Sequence, residues 1–185
     1  MKKVSHLQKD VSLFHCKMVY MITEPKISFR NAQHSVGIRL KTPFKGMFAV
    51  VDRLLKELRA WVKAHGIADE GPYFLRYHVI DMDGMMDIEL GFVVQEPLEG
   101  DERVKPNVLP EGRYASLTYS RYALRGNKAL LGWIKENNIS IERWNHEEGD
   151  AFGCRYEAYL TDYRVQPRKS AWEVDLAIKV TDNQD

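Results

Sequence analysis

The sequence predicts an α+β fold built from two copies of a strand–helix–strand–strand module. Two helical segments end in similar sequences, WVKAHGI at 61–67 and WIKENNI at 133–139. Each helix is followed by two strand patterns and preceded by one more. Hairpin-connected strands pair antiparallel, and amphipathic helices need an apolar surface to pack on. We therefore expect one curved antiparallel sheet with both helices on the same face.

The first module begins with a strand at 35–41 and continues into the clearest helical signal of the chain, at 46–66. Apolar residues recur there at intervals of three and four, which places them on one face of a helix. They are Met47, Val50, Val51, Leu54, Leu55, Leu58, Trp61 and Val62. Gly66 follows as a left-handed cap, because glycine adopts a positive φ without steric penalty.

Two strands complete this module, PYFLRYHVID at 72–81 and MDIELGFVV at 86–94. The turn between them contains Asp83-Gly84, a pair that suits the positive φ angles of a tight hairpin. We therefore expect these strands to pair with each other.

The second module repeats this order of elements. Its strand, helix and two further strands are RYASLTYS (113–120), GNKALLGWIKENN (126–138), CRYEAYLTDY (154–163) and WEVDLAIKV (172–180). Asn138 stands where Gly66 stood, and asparagine also tolerates the left-handed conformation.

The segment between the modules, QEPLEGDERVKPNVLPEG, is polar and holds three prolines. Such a composition is typical of a linker. We predict an N-terminal extension at 1–18, a single domain at 19–180 and a tail at 181–185. Within the domain, repeat 1 covers about 19–96, the linker about 97–110 and repeat 2 about 111–180.

The charge balance argues against nucleic acid as a direct partner. The chain has 27 Lys and Arg against 26 Asp and Glu, a net charge of +1, whereas nucleic-acid binding usually needs a basic field. No stretch reaches the roughly 18 apolar residues of a membrane span, and the N-terminus lacks the apolar core of a signal peptide. We expect a soluble, cytoplasmic protein.

Metal and cofactor motifs are missing from the sequence. Cys16 and Cys154 lie far apart, which favours reduced thiols over a disulfide or a metal site. The six histidines lack metal-ligand spacing, and no dinucleotide or P-loop fingerprint occurs. The segment NHEEGD at 145–150 fits a solvated connector better than a metal loop. We predict no metal and no cofactor.

Strand alternation predicts an acidic sheet face opposite the helices. In the last strand of each module the aliphatic residues share one side, which must pack on the helices. The acidic residues of the other side are Asp87, Glu89, Glu173 and Asp175.

The strand CRYEAYLTDY is less clear, because a carboxylate stands between aromatic residues. A buried carboxylate is costly unless a positive charge or hydrogen-bond donors meet it. Matching Asp81 of the first module with Asp162 of the second places Glu157 on the helix-free face. Its predicted neighbours there are Tyr159, Arg76 and His78.

Two interpretations of this face stay open. It is either a solvated surface with ion pairs such as Arg76 with Glu157, or a ligand groove with aromatic walls and an acidic floor. An aromatic content of 11% favours the groove, since Tyr and Trp offer wide contact area and a polar group. The candidate ligand-binding residues are Phe74, Arg76, His78, Glu89, Glu157, Tyr159, Trp172 and Glu173.

The order of LPEGRYASL, a helix ending in Trp, YEAYLTDY and WEVDLAIKV resembles the GyrI-like (gyrase-inhibitor-like) small-molecule-binding family over about residues 19–180. That family includes the effector-binding domains of multidrug-responsive bacterial transcription activators. The resemblance implies a duplicated, SHS2-like module with ligands in the groove between the copies. The family's strand glutamate, which contacts cationic or polar aromatic ligands, maps onto Glu157, and the tyrosine of the same pattern maps onto Tyr159.

The chain departs from the family pattern in two places. The turn after this strand, TDYRVQPRKSAW, keeps only Pro167 where relatives are richer in proline. No helix-turn-helix segment precedes the domain, so we expect a stand-alone member.

The resemblance implies a small-molecule-binding protein for drug-like cationic or polar aromatic ligands. Whether the protein is an enzyme stays open, because some stand-alone members resemble hydrolases that open cyclopropane rings. In that alternative Glu157 is the base and Tyr159 the hydroxyl donor. A second alternative is a protein-interaction module that inhibits gyrase, and a homodimer is also open.

Overall fold

In the computed structural model, which describes residues 21–182, ten antiparallel strands form one curled sheet and two helices pack on it. The predicted extension at 1–18, with Cys16, lies outside the described residues. The elements are β1 (Lys26–Arg30), β2 (Gln33–Pro43), α1 (Met47–Ala64), β3 (Tyr73–Ile80), β4 (Met85–Val93), β5 (Lys105–Leu109), β6 (Gly112–Ser120), α2 (Ala123–Glu136), β7 (Arg143–His146), β8 (Gly149–Phe152), β9 (Arg155–Tyr159), a short 3-10 helix (Lys169–Ala171) and β10 (Glu173–Lys179).

The strand order confirms the duplication. The sheet runs β1-β6-β10-β9-β3-β4-β2-β5, and β8 pairs with β3 and with β7. The first module supplies β2, β3 and β4, and the second supplies β6, β9 and β10. The two sets meet where β9 pairs antiparallel with β3, so the six central strands are arranged symmetrically about that pairing.

Both helices and their predicted caps are confirmed. The buried residues of α1 are Met47, Val51, Leu54, Leu55, Leu58 and Val62, and those of α2 are Gly126, Leu130 and Ile134. Gly66 has a φ of +63° and Asn138 a φ of +53°. Each helix therefore ends where a left-handed residue stops it.

The hairpin between β3 and β4 is confirmed, but its predicted turn geometry is wrong. Neither Asp83 nor Gly84 adopts a positive φ. The Asp81 carboxylate instead accepts a hydrogen bond from the backbone N–H of Asp83, at 3.0 Å. A side-chain hydrogen bond therefore stabilises this turn, which lacks the positive φ angles that the pair Asp83-Gly84 predicts.

Four short strands were not predicted, namely β1, β5, β7 and β8. β5 lies within the predicted linker and pairs with β2, and NHEEGD forms the turn between β7 and β8. β5 and β7 are mostly exposed and carry little apolar alternation. Pairing with existing strands forms them, a tertiary effect that local sequence does not reveal.

The apolar core has three parts. One lies between α1 and the first module, and one lies between α2 and the second. The third fills the helix-free face inside the curl of the sheet and contains Phe74, Leu109, Tyr114, Cys154, Tyr156, Ala158 and Ala177. The Phe74 ring lies against Gly91, where an added Cβ would be 2.1 Å from the ring.

The two helices of the described residues are both too short or too polar to cross a membrane.

Candidate functional site

Glu157 lies on the helix side of the sheet, midway between the two helices. Backbone pairing places it directly between Leu75 of β3 and Leu176 of β10. Leu75 belongs to the core beneath α1, and Leu176 belongs to the core beneath α2. The prediction that Glu157 faces the helix-free side is therefore wrong.

A register difference of one residue explains the error. Leu75 pairs with Leu90, and Glu157 pairs with Leu176, so Leu75 is the counterpart of Glu157 in the first module. Matching Asp81 with Asp162 instead makes Arg76 the counterpart. Because side chains alternate along a strand, a shift of one residue moves every side chain to the opposite face.

The Glu157 carboxylate is held by an asparagine and not by a salt bridge among the described residues. Glu157 is buried, with a relative exposure of 8%. Asn127 of α2 donates from Nδ2 to Oε1 of Glu157 at 3.2 Å, and its Oδ1 accepts a hydrogen bond from Nη2 of Arg155 at 2.8 Å. Asn127 thus lies between the carboxylate of Glu157 and the guanidinium of Arg155.

Burial raises the pKa of Glu157 above its ordinary value of 4.5. The hydrogen bond from Asn127, the charge of Arg155 and the nearby hydroxyls of Tyr119 and Tyr77 oppose this shift, because each favours the ionised form. Glu157 is therefore a desolvated carboxyl surrounded by hydrogen-bond donors that stabilise its charge only in part.

Gly126 brings α2 close enough for Asn127 to reach the strand. A Cβ at Gly126 would lie 2.7 Å from Cδ1 of Tyr119, so any larger residue would push the helix outward. The glycine therefore sets the distance between α2 and the carboxylate.

Matched positions on the two helices carry different residues beside Glu157. Aligning Trp61 with Trp133 makes Leu55 the counterpart of Asn127 and Arg59 the counterpart of Leu131. On α2, Leu124 and Leu131 lie about one turn to either side of Asn127, on the same helix face. They are 70% and 37% exposed, so α2 presents apolar side chains to solvent on either side of Asn127.

A cleft of about 430 Å³ lies beside Tyr159, two residues after Glu157 on β9. Its aromatic residues are Tyr73, Tyr159, Tyr163 and Trp172, and its charged residues are Arg59, Asp69, Glu70, Asp162 and Arg164. The rings of Tyr159 and Trp172 lie 5.5 Å apart, and those of Tyr73 and Tyr163 lie 6.4 Å apart. Tyr159 thus belongs both to the cleft and to the strand that carries Glu157.

The predicted candidates divide between the two faces of the sheet. Glu157, Tyr159 and Trp172 come together on the helix side, whereas Phe74, Arg76, His78 and Glu89 do not join them. Glu173 is exposed at the start of β10.

Arg76 is not the partner of Glu157. Its guanidinium donates to the backbone oxygens of Val108 and Gly153, each at 3.1 Å, on the helix-free side. Glu89 lies there too, 2.9 Å from Nε2 of His78. Because Arg76 and Glu157 lie on opposite faces of paired strands, the sheet itself separates them.

Sequence reasoning missed five contributors to this site: Arg59, Tyr73, Tyr77, Tyr119 and Asn127. A signal for two of them was present in β3, where Tyr73, Leu75 and Tyr77 alternate on one face. The correct register would have aligned these residues with Arg155, Glu157 and Tyr159. The sequence gives no signal for Asn127, because its contact with Glu157 depends on how α2 packs on the sheet.

Comparisons with known proteins agree with this architecture. The family model described as a GyrI-like small molecule binding domain matches residues 23–181. SAV2435 bound to tetraphenylphosphonium superposes with a TM-score of 0.60 at 10% identity, covering 86% of this chain and 94% of that chain. No curated protein matches the sequence.

Two further solved structures share the fold. The C-terminal domain of EcmrR gives a TM-score of 0.58 at 14% identity, covering 89% of this chain and 99% of that domain. A hydrolase from Listeria innocua gives 0.55 at 13% identity, with coverages of 85% and 92%. The chain spans 58% of the EcmrR chain in its DNA complex.

Proposed function

The chain belongs to the GyrI-like small molecule binding family, and from this premise we propose that it binds a cationic or polar aromatic small molecule between its two helices. Glu157 is the anionic anchor of the ligand in this proposal. Tyr159 and Trp172 supply aromatic contact surface at the adjoining cleft.

One observation carries the proposal: Glu157 is a buried carboxylate that forms no salt bridge within residues 21–182. Its hydrogen-bond donors are neutral, namely the amide of Asn127 and the hydroxyls of Tyr119 and Tyr77, and its pKa is raised by burial. An ionised group in such a place is poorly compensated. A ligand cation would supply the missing charge, and at low effective dielectric that attraction is stronger than in water.

The surroundings fit an aromatic cation. Three tyrosines lie around the carboxylate: Tyr77, Tyr119 and Tyr159. Burial raises the pKa of each of their hydroxyls, and the negative charge of Glu157 raises it further. Ring faces attract a cation by about 0.5 to 2 kcal/mol each. Tetraphenylphosphonium, which SAV2435 binds, is a monocation covered by four aromatic rings, so we choose it as the probe.

The test is calorimetric titration of tetraphenylphosphonium into the wild type, Glu157→Gln and Glu89→Gln. We expect Glu157→Gln to bind about 10- to 100-fold more weakly, which corresponds to about 1.4 to 2.8 kcal/mol. Glu89→Gln is the matched control, because it removes an equally buried carboxylate on the opposite face. Equal affinities of wild type and Glu157→Gln would refute the anchor role.

Acidification provides a second check on the same proposal. Protonation of Glu157 removes the anchor charge, and its raised pKa moves this loss to a pH above 4.5. Tetraphenylphosphonium affinity of the wild type should therefore fall as the pH approaches that range, whereas the affinity of Glu157→Gln should stay flat.

A second candidate is hydrolysis of a cyclopropane-bearing compound, favoured by the tyrosine hydroxyls beside a carboxyl of raised pKa. Two solved relatives from Listeria innocua are also named hydrolases. Glu157 would take a proton from water, and the oxygen would attack a ring carbon as the ring bond breaks. The electron pair of the broken bond would pass to a conjugated carbonyl, and a tyrosine hydroxyl such as that of Tyr159 would donate a hydrogen bond to the resulting phenolate. Glu157 would then release its proton to solvent as the phenolate takes up one, which completes the addition of water.

Mass spectrometry distinguishes this candidate from binding alone. A ring-opened product containing one added water, formed by the wild type but not by Glu157→Gln, would support turnover. Unchanged compound with measurable affinity would leave binding as the function.

A further inference from the structure

Arg59 lines the aromatic cleft and lies against three of its rings. Its guanidinium carbon lies 3.4 Å from the centroid of the Tyr163 ring, in stacking contact. The Tyr73 and Trp172 rings are 5.2 and 5.7 Å away. Aromatic residues that surround a cation in this way form an aromatic cage.

The guanidinium has no acidic partner within residues 21–182. It forms no hydrogen bond or salt bridge there, and its Nε is buried without a partner. The nearby carboxylates are engaged elsewhere: Asp69 accepts a hydrogen bond from the Tyr163 hydroxyl at 2.9 Å, and Asp162 binds Arg164 at 2.9 Å. Burial lowers the pKa of Arg59. The ring faces therefore provide most of what holds this side chain in place.

The charges of the cleft suit a cation better with Arg59 absent. Three carboxylates line it, those of Asp69, Glu70 and Asp162, and Arg164 is the other lining arginine. Arg59 also lines a second cleft on the side toward Lys56 and Lys63, which shares Asp69, Tyr163 and Arg164 with the first. A rotation about its flexible stem would carry the guanidinium from the cage toward that side without moving α1.

We propose that Arg59 determines ligand specificity by occupying the cage as an internal cation that an incoming ligand must displace. This inference rests on the proposed binding function. The rings offer π faces and few hydrogen-bond acceptors, so the ligands that displace Arg59 are bulky phosphonium or quaternary ammonium cations. Small, strongly hydrated cations lose more hydration energy than the rings return.

The test compares Arg59→Met, Arg59→Lys and Arg53→Met with the wild type in titrations of tetraphenylphosphonium. Arg59→Met keeps an unbranched stem and removes the internal cation. We expect it to bind about tenfold more tightly, the factor for a cage that is about nine-tenths occupied by Arg59. Arg59→Lys retains a charge and should stay near the wild type. Arg53→Met changes the net charge equally at an exposed position of α1 and should stay within about twofold.

Tetraphenylborate, an anion of the same shape, separates this mechanism from its opposite. An unpaired guanidinium could instead hold an anionic ligand. Wild-type affinity for tetraphenylborate that disappears in Arg59→Met would overturn the proposal. Equal or weaker tetraphenylphosphonium binding by Arg59→Met would overturn it as well.

Failure of the underlying function gives a different pattern. If neither the wild type nor any variant binds tetraphenylphosphonium, the cationic ligand class is wrong and the inference falls with it. Arg59→Gln serves as a second neutral variant should Arg59→Met not fold, and urea denaturation of each variant checks folding before titration.

Discussion

On the helix-free face, Arg30 binds both oxygens of Asp175, at 2.6 and 3.2 Å, and donates to the Tyr156 hydroxyl at 2.6 Å. On the helix side, Glu157 is bound by the neutral amide of Asn127, and Arg59 rests on ring faces. Among residues 21–182, Arg30 and Asp175 form a salt bridge on the helix-free face, whereas Glu157 and Arg59 form none on the helix side. A paired charge stabilises the fold, whereas an unpaired one retains attraction for a ligand.

The contrast also concerns shape. On the helix-free face, Tyr114, Tyr156 and Phe74 fill the curl of the sheet, and β1 covers its edge. On the helix side, the two helices stand apart over β9, because each packs on its own module. The cleft of about 430 Å³ beside Tyr159 and Trp172 lies on the helix side, whereas packed side chains fill the opposite face.

The largest effect that would test this comparison is expected from Arg30→Ala. The change leaves Asp175 without its partner and removes a guanidinium that lies 5.5 and 5.7 Å from the Tyr114 and Tyr156 rings. We expect a loss of about 2 to 4 kcal/mol in the free energy of unfolding, measured by urea denaturation. Tetraphenylphosphonium affinity of the folded fraction should not change. A loss below about 0.5 kcal/mol would show that this pair does not anchor the sheet.

Asn127→Ala addresses the helix side. It removes the amide between Glu157 and Arg155, and we expect a loss of about 1 to 2 kcal/mol in the free energy of unfolding. It should also raise the pKa of Glu157 further, because the hydrogen bond favours the ionised carboxylate. Carbon-13 NMR titration of the glutamate carboxyl groups measures this shift. Asn107→Ala, which removes a hydrogen bond to Glu89 on the other face, should leave the Glu157 titration in place.

Glu157→Gln should stabilise the protein at neutral pH. The raised pKa means that the native state holds the Glu157 proton more tightly than the unfolded chain does. The stability from that proton is complete below the ordinary value of 4.5 and is lost as the pH rises through the raised pKa. Glutamine avoids this loss, so we expect the variant to be more stable than the wild type near neutral pH.

Urea denaturation at neutral pH and at a pH just below 4.5 checks the sign of this effect. The difference between wild type and Glu157→Gln should vanish at the lower pH. A variant less stable than the wild type at neutral pH would mean that the carboxylate is already compensated within the protein.

The smallest effect is expected from Glu173→Gln. This side chain is exposed at the start of β10. Its replacement should change the free energy of unfolding by less than about 0.5 kcal/mol and the tetraphenylphosphonium affinity by less than about twofold. A larger loss of affinity would move the binding surface to the helix-free side.

Much of the fold could be predicted because its signals are local. Helical periodicity located α1 and α2, and the positive-φ residues Gly66 and Asn138 ended them. Strong alternation located β4 and β10. The short strands β5 and β7 escaped prediction, because their pairing with neighbours, and not their own composition, makes them strands.

The candidate site was predicted in part. Glu157 and Tyr159 were identified from the strand pattern and the family resemblance, and Trp172 joins them. The sequence pattern predicts the wrong face for Glu157 in β9. It therefore groups Glu157 with four residues of the opposite face: Phe74, Arg76, His78 and Glu89. Arg59 and Asn127 lie on helices, and their roles depend on how each helix sits over the sheet.

Periodicity and internal similarity are enough to predict the repeated module with its helices and central strands. They also reveal a carboxylate among the aromatic residues of β9. Tertiary structure alone decided which way that group faces. Both sides of β9 are partly apolar, with Tyr156 and Ala158 on one and Glu157 and Tyr159 on the other. Alternation within such a strand is therefore ambiguous, and the pairing of Glu157 with Leu75 and Leu176 settles the choice.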